Sequence, residues 1–121
     1  MEMNSTKFRK ELIKIMPGYK WTVHRKMFKD SKYFAATGIQ TAGFNRLSTL
    51  EVVVSWKGDV FEYEVKSSGF GLNAPWLSTN TDATLARALR GLQNHYEATA
   101  SMYNGHAYDL KAGRIKKEAR P

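Results

Sequence analysis

The sequence predicts an α+β fold. We expect a two-layer sandwich, in which an antiparallel sheet of about four strands is covered on one face by an N-terminal helix and a long C-terminal helix. The strand-like segments are grouped between two helix-like segments instead of alternating with them, which favours antiparallel pairing. A central segment has the pattern of a hairpin with one apolar face. Each helix has one apolar stripe, so both can cover that face.

The first helix is predicted over residues 5–16, where Ser5 or Thr6 can cap the first backbone N–H groups. Its apolar residues recur with the helical period. They form one buried stripe: Phe8, Leu12, Ile15 and Met16. The pair Pro17-Gly18 ends the helix, because proline restricts the residue before it and glycine permits the turn.

Two strands are expected next. In residues 19–25 large apolar residues alternate with polar ones, and Tyr19 and Trp21 share one phase of that alternation. We therefore interpret both rings as core, with the neighbouring cations pointing outward, rather than as a platform for nucleic-acid bases. A second strand is expected near Tyr33–Thr41, where Gly38 favours a β-bulge.

The clearest element is a hairpin, "STLEVVVSWKGDVFEYEVKSS". A tight two-residue turn at Gly58-Asp59 sets its register. That register places one set of apolar residues on a common core face: Val52, Val54, Trp56, Phe61, Tyr63 and Val65. On the other face it places Glu51 opposite Lys66, which is a favourable cross-strand pair.

The segment "SGFGLNAPWLSTN" is predicted as a loop with a short edge strand at Trp76-Leu77. The long helix follows, capped by Thr81 or Asp82. Its predicted buried stripe is Leu85, Leu89, Leu92 and Tyr96, and Met102 or Tyr103 could extend it.

Gly105 is the predicted end of the long helix, because glycine commonly terminates helices. Residues 1–105 are therefore predicted to form the single α+β domain, since a chain of 121 residues suggests one domain. Residues 106–121 are basic and weakly apolar, which favours a flexible tail or a helix that forms on binding.

Composition excludes several classes of protein. The chain has no cysteine, so disulfides, thiolate zinc sites and cysteine nucleophiles are excluded. No apolar run approaches the roughly 18 residues of a membrane span. The N-terminus "MEMNSTKFRK" lacks the apolar stretch of a signal peptide. We expect a cytoplasmic protein that needs no cofactor and does not bind a membrane.

Positive charge is concentrated at the two ends. The net charge is +8: residues 1–32 hold nine Lys/Arg against three acids, residues 33–86 three against five, and residues 87–121 seven against three. Basic proteins attract polyanions, of which nucleic acid is the commonest in a cell. The candidate phosphate-binding residues are Lys7, Lys10, Lys14, Lys20, Lys26, Lys29, Arg114, Lys116, Lys117 and Arg120. An ordinary solvated surface is the alternative interpretation.

Four further residues are candidates for contacts with bases or with a protein partner. Phe70 and Trp76 lie in the loop, where no periodicity requires a large ring to be buried, so they could stack on bases or anchor a partner. Alternatively, Trp76 closes the end of the core. Arg87 and Arg90 lie one turn apart on the long helix and could read base edges, or could simply be solvated.

The segment "EYEVK" contains the Glu-x-Lys spacing of Glu64 and Lys66, and it resembles metal-dependent nucleases of the PD-(D/E)xK family. The resemblance implies that Glu51 and Glu64 hold Mg²⁺ while Lys66 orients an attacking water. A cross-strand salt bridge explains the same residues without catalysis. The three histidines show no metal-binding spacing.

The segments "FRKELIKIMPGYKWTVHR" and "TLARALRGLQNHYE" resemble parts of small basic accessory proteins encoded by phages and other mobile elements. Some of those proteins interfere with host defences. The order of helix, strands and helix also resembles double-stranded-RNA-binding domains, although their lysine cluster is missing at "TDATLARALR".

Three hypotheses about function follow. The first is a non-enzymatic module, of phage or mobile-element origin, that binds nucleic acid or a nucleoprotein through its basic ends. The second is a phage-type inhibitor, such as an anti-CRISPR, that binds a host defence protein. The third is a nuclease with the Glu-x-Lys site. We favour the first and expect no enzymatic activity.

Overall fold

The structure is a computed structural model, and it describes residues 3–24 and 33–115. Within those residues the elements are α1 Ser5–Ile15, β1 Lys20–His24, β2 Tyr33–Ala42, β3 Asn45–Lys57, β4 Val60–Ser68, β5 Trp76–Asp82 and α2 Leu85–Arg114. The five strands form one antiparallel sheet in the order β1-β2-β3-β4-β5. The predicted α+β class is confirmed, and the edge strand expected at Trp76-Leu77 is the beginning of β5, which extends to Asp82.

Both helices bury their apolar stripes in a single core. From α1, Phe8 and Leu12 are completely buried, and from α2 the buried residues include Leu85 and Leu92. They pack against one face of the sheet, whose buried residues are Trp21, Ala36, Leu50, Val52, Val54, Tyr63 and Val65. Each fully buried side chain of this kind contributes about 1.5–3 kcal/mol. The core therefore joins the two layers.

The β3–β4 hairpin has the predicted register. Lys57 pairs with Val60 across the turn, and Gly58 has a φ of 63°, which suits glycine. Glu51 pairs with Lys66, and Lys66 Nζ lies 3.1 Å from Glu51 Oε1. The core-facing positions are apolar from Leu50 to Trp56 in β3 and from Phe61 to Val65 in β4, so a slip of one residue would turn this set away from the core.

A hydrogen bond connects the first helix to the middle of the sheet. Tyr63 donates its hydroxyl proton to Glu11 Oε1 at 2.9 Å. Burial of Tyr63 and this contact with a carboxylate raise the pKa of the phenol above its ordinary value. Glu11 is therefore the internal acceptor for a buried hydroxyl.

The helix caps differ from those predicted. Asn4 caps α1 instead of Ser5 or Thr6, because its side chain accepts from Lys7 N at 2.9 Å. Thr84 caps α2 by accepting from Arg87 N at 3.2 Å. The predicted caps of α2, Thr81 and Asp82, are wrong because both residues still belong to β5.

The predicted end of the long helix at Gly105 is also wrong. The helix includes Gly105 and continues to Arg114. The residues that follow the glycine, "HAYDLKAGR", contain no proline and several good helix formers, so one glycine weakens the helix without ending it. Residues 116–121, the rest of the predicted tail, lie outside the described residues.

Gly38 has a packing role instead of forming the predicted bulge. The Trp21 ring lies directly over it, so a Cβ at this position would be 2.8 Å from the ring. The irregularity in β2 lies between Gln40 and Thr41. The close approach of the ring explains why a glycine occupies the middle of a strand.

Candidate functional site

The structure separates the charged residues between its two layers. The two helices carry eight Lys/Arg against three Asp/Glu, whereas the five strands carry four against four. Because both helices cover the same face of the sheet, their outward faces form one surface of the molecule. We call this surface the helix-layer surface. Its excess of cations makes it the more attractive of the two layers for a polyanion.

On α1 the predicted lysines share one face. Lys7, Lys10 and Lys14 are all exposed, whereas Phe8 and Leu12 are buried on the opposite side of the helix. The spacing of i, i+3 and i+7 produces this arrangement, because three and seven residues are close to whole helical turns. These three residues are therefore exposed as expected for an outer helix face, and their role in phosphate binding stays a prediction.

On α2 the first two turns add Arg87 and Arg90, and both side chains are exposed. Arg87 Nε donates to Asp82 Oδ1 at 3.1 Å, across the junction between β5 and α2. The backbone N–H of Ala83 and the Arg87 side chain hold the pKa of the Asp82 carboxyl below its ordinary value. Arg87 is thus partly neutralised at the base of the helix, and Arg90 extends the cationic face by one turn.

Of the remaining predicted cations, the two that the structure describes, Lys20 and Arg114, do not join this cluster. Lys20 pairs with Ile39 and is exposed on the face of the sheet opposite to buried Trp21, so the sheet separates it from the helix layer. Arg114 lies at the last residue of α2. Five predicted residues lie outside the described residues: Lys26, Lys29, Lys116, Lys117 and Arg120.

The open face of the sheet has a mixed charge. Lys66 bonds to Glu51, and its Nζ lies 4.7 Å from the centroid of the Trp76 ring, which is a cation–π distance. Glu64 lies on the same face, two residues before Lys66 in β4. The three residues of the Glu-x-Lys hypothesis are thus neighbours on one face. Across the described ranges, no group of three His, Cys, Asp or Glu side chains could hold a metal ion.

Exposed aromatic residues cluster at one end of the sheet. Phe70 is 68% exposed, as expected for the loop, and Trp76 opens β5 with 45% of its surface exposed. A third ring, Phe44, was not among the residues predicted from the sequence, and it lies fully exposed in the turn between β2 and β3. The Gly71 N–H donates to the Arg46 carbonyl at 2.9 Å, which holds the loop beside that turn.

A shallow depression joins these two segments, and Phe44 and Phe70 both line it together with Leu72. We call these three residues the apolar loop cluster. The signal for its missing member was the pair Gly43-Phe44 between two strand-like segments, which is the spacing of a two-residue hairpin turn.

Comparison of the chain with protein families, with curated proteins and with solved structures finds no match. Among the described helices, none combines the length and the apolar character needed to cross a membrane. The function must therefore be inferred from the surfaces themselves.

Proposed function

We propose that this protein is a non-enzymatic module that binds nucleic acid, or a nucleoprotein, through the helix-layer surface. The observation that supports this proposal is the concentration of exposed cations on one layer, at Lys7, Lys10, Lys14, Arg87 and Arg90. Phosphate contacts require cations and little further geometry. The strands carry no net charge, so the two faces of the molecule differ in their attraction for a polyanion.

The three lysines of α1 match the dimensions of a phosphate backbone. Lys7 and Lys14 are seven residues apart, which is about 10 Å along a helix axis. Successive phosphates of one strand rise about 3.4 Å along duplex DNA. The row therefore spans about three nucleotides. Contacts of this kind position a protein on nucleic acid and carry no sequence information, so we expect binding without sequence preference.

The test compares two charge reversals of equal size. Lys10→Glu with Lys14→Glu changes the helix-layer surface, whereas Lys20→Glu with Lys57→Glu changes exposed residues on the opposite side of the sheet. Binding to mixed-sequence duplex and single-stranded DNA and RNA is measured across a salt series. Each lost phosphate contact should make the slope of log K against log salt shallower by about 0.9 on duplex DNA.

We expect the α1 pair to weaken binding on every sequence and to make the duplex slope shallower by about 1.8. The sheet pair should cause a smaller loss, which reflects only the change in net charge. Undetectable binding of the unmodified chain at low salt would refute the proposal. An equal loss of affinity in both variants would indicate that the interface does not lie on the helix-layer surface.

The second candidate function, inhibition of a host defence protein, is favoured by the apolar loop cluster. Phe44 and Phe70 are large, exposed and adjacent, which is typical of residues that anchor protein interfaces. A pull-down from host lysate with and without nuclease separates the two functions. A protein that is retained after nuclease treatment and lost from Phe44→Ser with Phe70→Ser would favour the inhibitor.

A further inference from the structure

The C-terminal half of α2 projects beyond the rest of the protein. The first half buries Leu85, Ala88 and Leu92, whereas residues 100–115 are exposed except for half-buried Ala112. Fifteen helical residues span about 21 Å, so the projecting half of α2 is about 21 Å long. A solvated helix of this length has little stability of its own in water. Because residues of this half are exposed, its large apolar side chains have no cover among the described residues.

The apolar stripe of the packed half continues onto the projecting half. Leu89, Tyr96, Tyr103 and Leu110 follow one another at intervals of seven residues, which keeps them on one face of the helix. Leu89 and Tyr96 pack against the core cluster, whereas Tyr103 is 63% and Leu110 73% exposed. We call these four residues the seam. Its order, Leu, Tyr, Tyr, Leu, is the same in both directions along the chain.

An open groove runs beside the packed half of the seam. Its volume is about 320 Å³, and Leu89 and Tyr96 line one side of it. The groove lies between α2 and the end of α1. Its other lining residues are Met16, Tyr19, Leu50 and Ser67, and on α2 Leu92, Gln93, Glu97 and Ala100. Ser67 Oγ lies 2.6 Å from Tyr96 Oη, which fixes that ring at the edge of the groove. One molecule thus has both an uncovered apolar stripe on its projecting helix and a largely apolar groove along the same helix face.

We propose that the occupant of the groove is the projecting helix of a second copy of this chain. In an antiparallel pair related by a twofold axis near Thr99 and Ala100, Tyr103 of each copy meets Tyr96 of the other. Leu110 of each copy then meets Leu89 of the other, because both pairs are equidistant from the axis. The small residue Ala100 lies in the groove lining at the crossing point, where it permits close approach. Such an interface is isologous, so each copy supplies one helix and one groove.

The area of contact is sufficient for a stable dimer. Half the circumference of a helix about 11 Å wide, over about 21 Å, is roughly 350 Å². Two helices and two grooves therefore bury roughly 1,400 Å², within the range of about 1,200–2,000 Å² for specific interfaces. The chain has a net charge of +8, so the two copies repel each other. Added salt should strengthen the dimer by screening that repulsion, which is the opposite of its effect on phosphate contacts.

The proposal is tested by measuring the mass of the nuclease-treated protein by sedimentation, across a range of protein and salt concentrations. We expect twice the chain mass of 13.8 kDa, with dissociation on dilution. Tyr103→Glu with Leu110→Glu should give a monomer of unchanged fold by circular dichroism. Met102→Glu with Tyr108→Glu is the matched control, because these residues are exposed on the same half of α2 but lie off the seam. A monomeric unmodified chain, or equal effects of the two variants, would overturn the proposal.

Cross-linking tests the antiparallel geometry separately. The chain contains no cysteine, so a single introduced cysteine reacts alone. With a short bifunctional maleimide, Ala100→Cys should give linked dimers because its two copies meet at the axis. Gly113→Cys should remain unlinked, because its copies lie at opposite ends of the paired helices. Linkage at both positions would indicate parallel helices and would overturn the arrangement, as would linkage at neither.

Discussion

Replacing Gly38 with alanine tests how closely the first strand packs on the second. A Cβ at this position would lie 2.8 Å from Trp21 Cζ3 and 2.9 Å from two further ring carbons. Carbon atoms in favourable contact are about 3.5–4.0 Å apart, so the ring or the strand must move by about 0.7 Å or more. The ring is held because its Nε1–H donates to the Met16 carbonyl at 3.0 Å.

Two effects determine how much Gly38→Ala lowers the free energy of unfolding. Overpacking a well-packed site costs about 1–3 kcal/mol. Alanine also restricts the unfolded chain, which offsets about 0.4–1 kcal/mol of that cost because Gly38 has no positive φ that would exclude a side chain. We expect a net decrease in the free energy of unfolding of about 1–2 kcal/mol. In a thermal melt this corresponds to a decrease in Tm of roughly 4–10 °C.

Two further variants make the result decisive. Gly105→Ala is the matched control: a Cβ there meets no atom within 4 Å, and alanine favours a helix interior, so Tm should not fall. In a Trp21→Leu background, Gly38→Ala should cost much less, because the obstructing ring is gone. The explanation is refuted if Gly38→Ala is as stable as the unmodified chain, or if its cost is the same in both backgrounds.

The remaining predictions concern the aromatic residues and the acidic face. Trp56→Ala should lower the free energy of unfolding, measured in urea, by about 2–4 kcal/mol, because the half-buried ring stacks between two phenylalanines. Trp76→Ala should lower it by under about 1 kcal/mol, because that ring is half-exposed. Equal losses in the two variants would contradict this assignment. The pKa of Tyr63 is raised, so its contribution to the free energy of unfolding is complete below the ordinary tyrosine pKa of about 10 and declines as pH rises further. In urea titrations at several pH values, Tyr63→Phe should make that decline with pH less steep. An unchanged decline would show that other groups cause it. Incubation with DNA and RNA in Mg²⁺ or Mn²⁺ should give no cleavage. Cleavage by the unmodified chain that is lost in folded Glu64→Ala and Lys66→Ala variants would show that the protein is a nuclease and that the non-enzymatic proposal is wrong.

The sequence predicts an element well where one pattern determines it. In the β3–β4 hairpin the turn at Gly58-Asp59 and the apolar residues at every second position indicate the same register, and the pairing of Glu51 with Lys66 follows from it. β5 is harder to predict, because residues 78–82 are all polar and have no alternation of apolar and polar residues. Those residues become a strand because they add to the edge of β4, which is a tertiary effect.

The same distinction applies to the candidate surface. The exposure of Lys10 and Lys14 follows from helical spacing, so the sequence predicts it. The position of Lys20 on the other side of the sheet depends on which face the helices cover, and local spacing does not contain that information. Phe44 and Phe70 are 26 positions apart in the chain, so their proximity depends on the sheet topology.

The strand order has a consequence for the rate of folding. Within the part of the chain that the structure describes, every strand pairs only with its neighbours in the sequence, and α2 contacts mainly the two strands that precede it. Little loop entropy is lost before each new contact forms, so the sheet can grow outward from the β3–β4 hairpin. The contact with the longest separation among the described hydrogen bonds, from Glu11 to Tyr63 over 52 residues, fixes α1 on that sheet. We therefore expect α1 to dock last, and folding to be faster than in β-rich domains whose strands cross over.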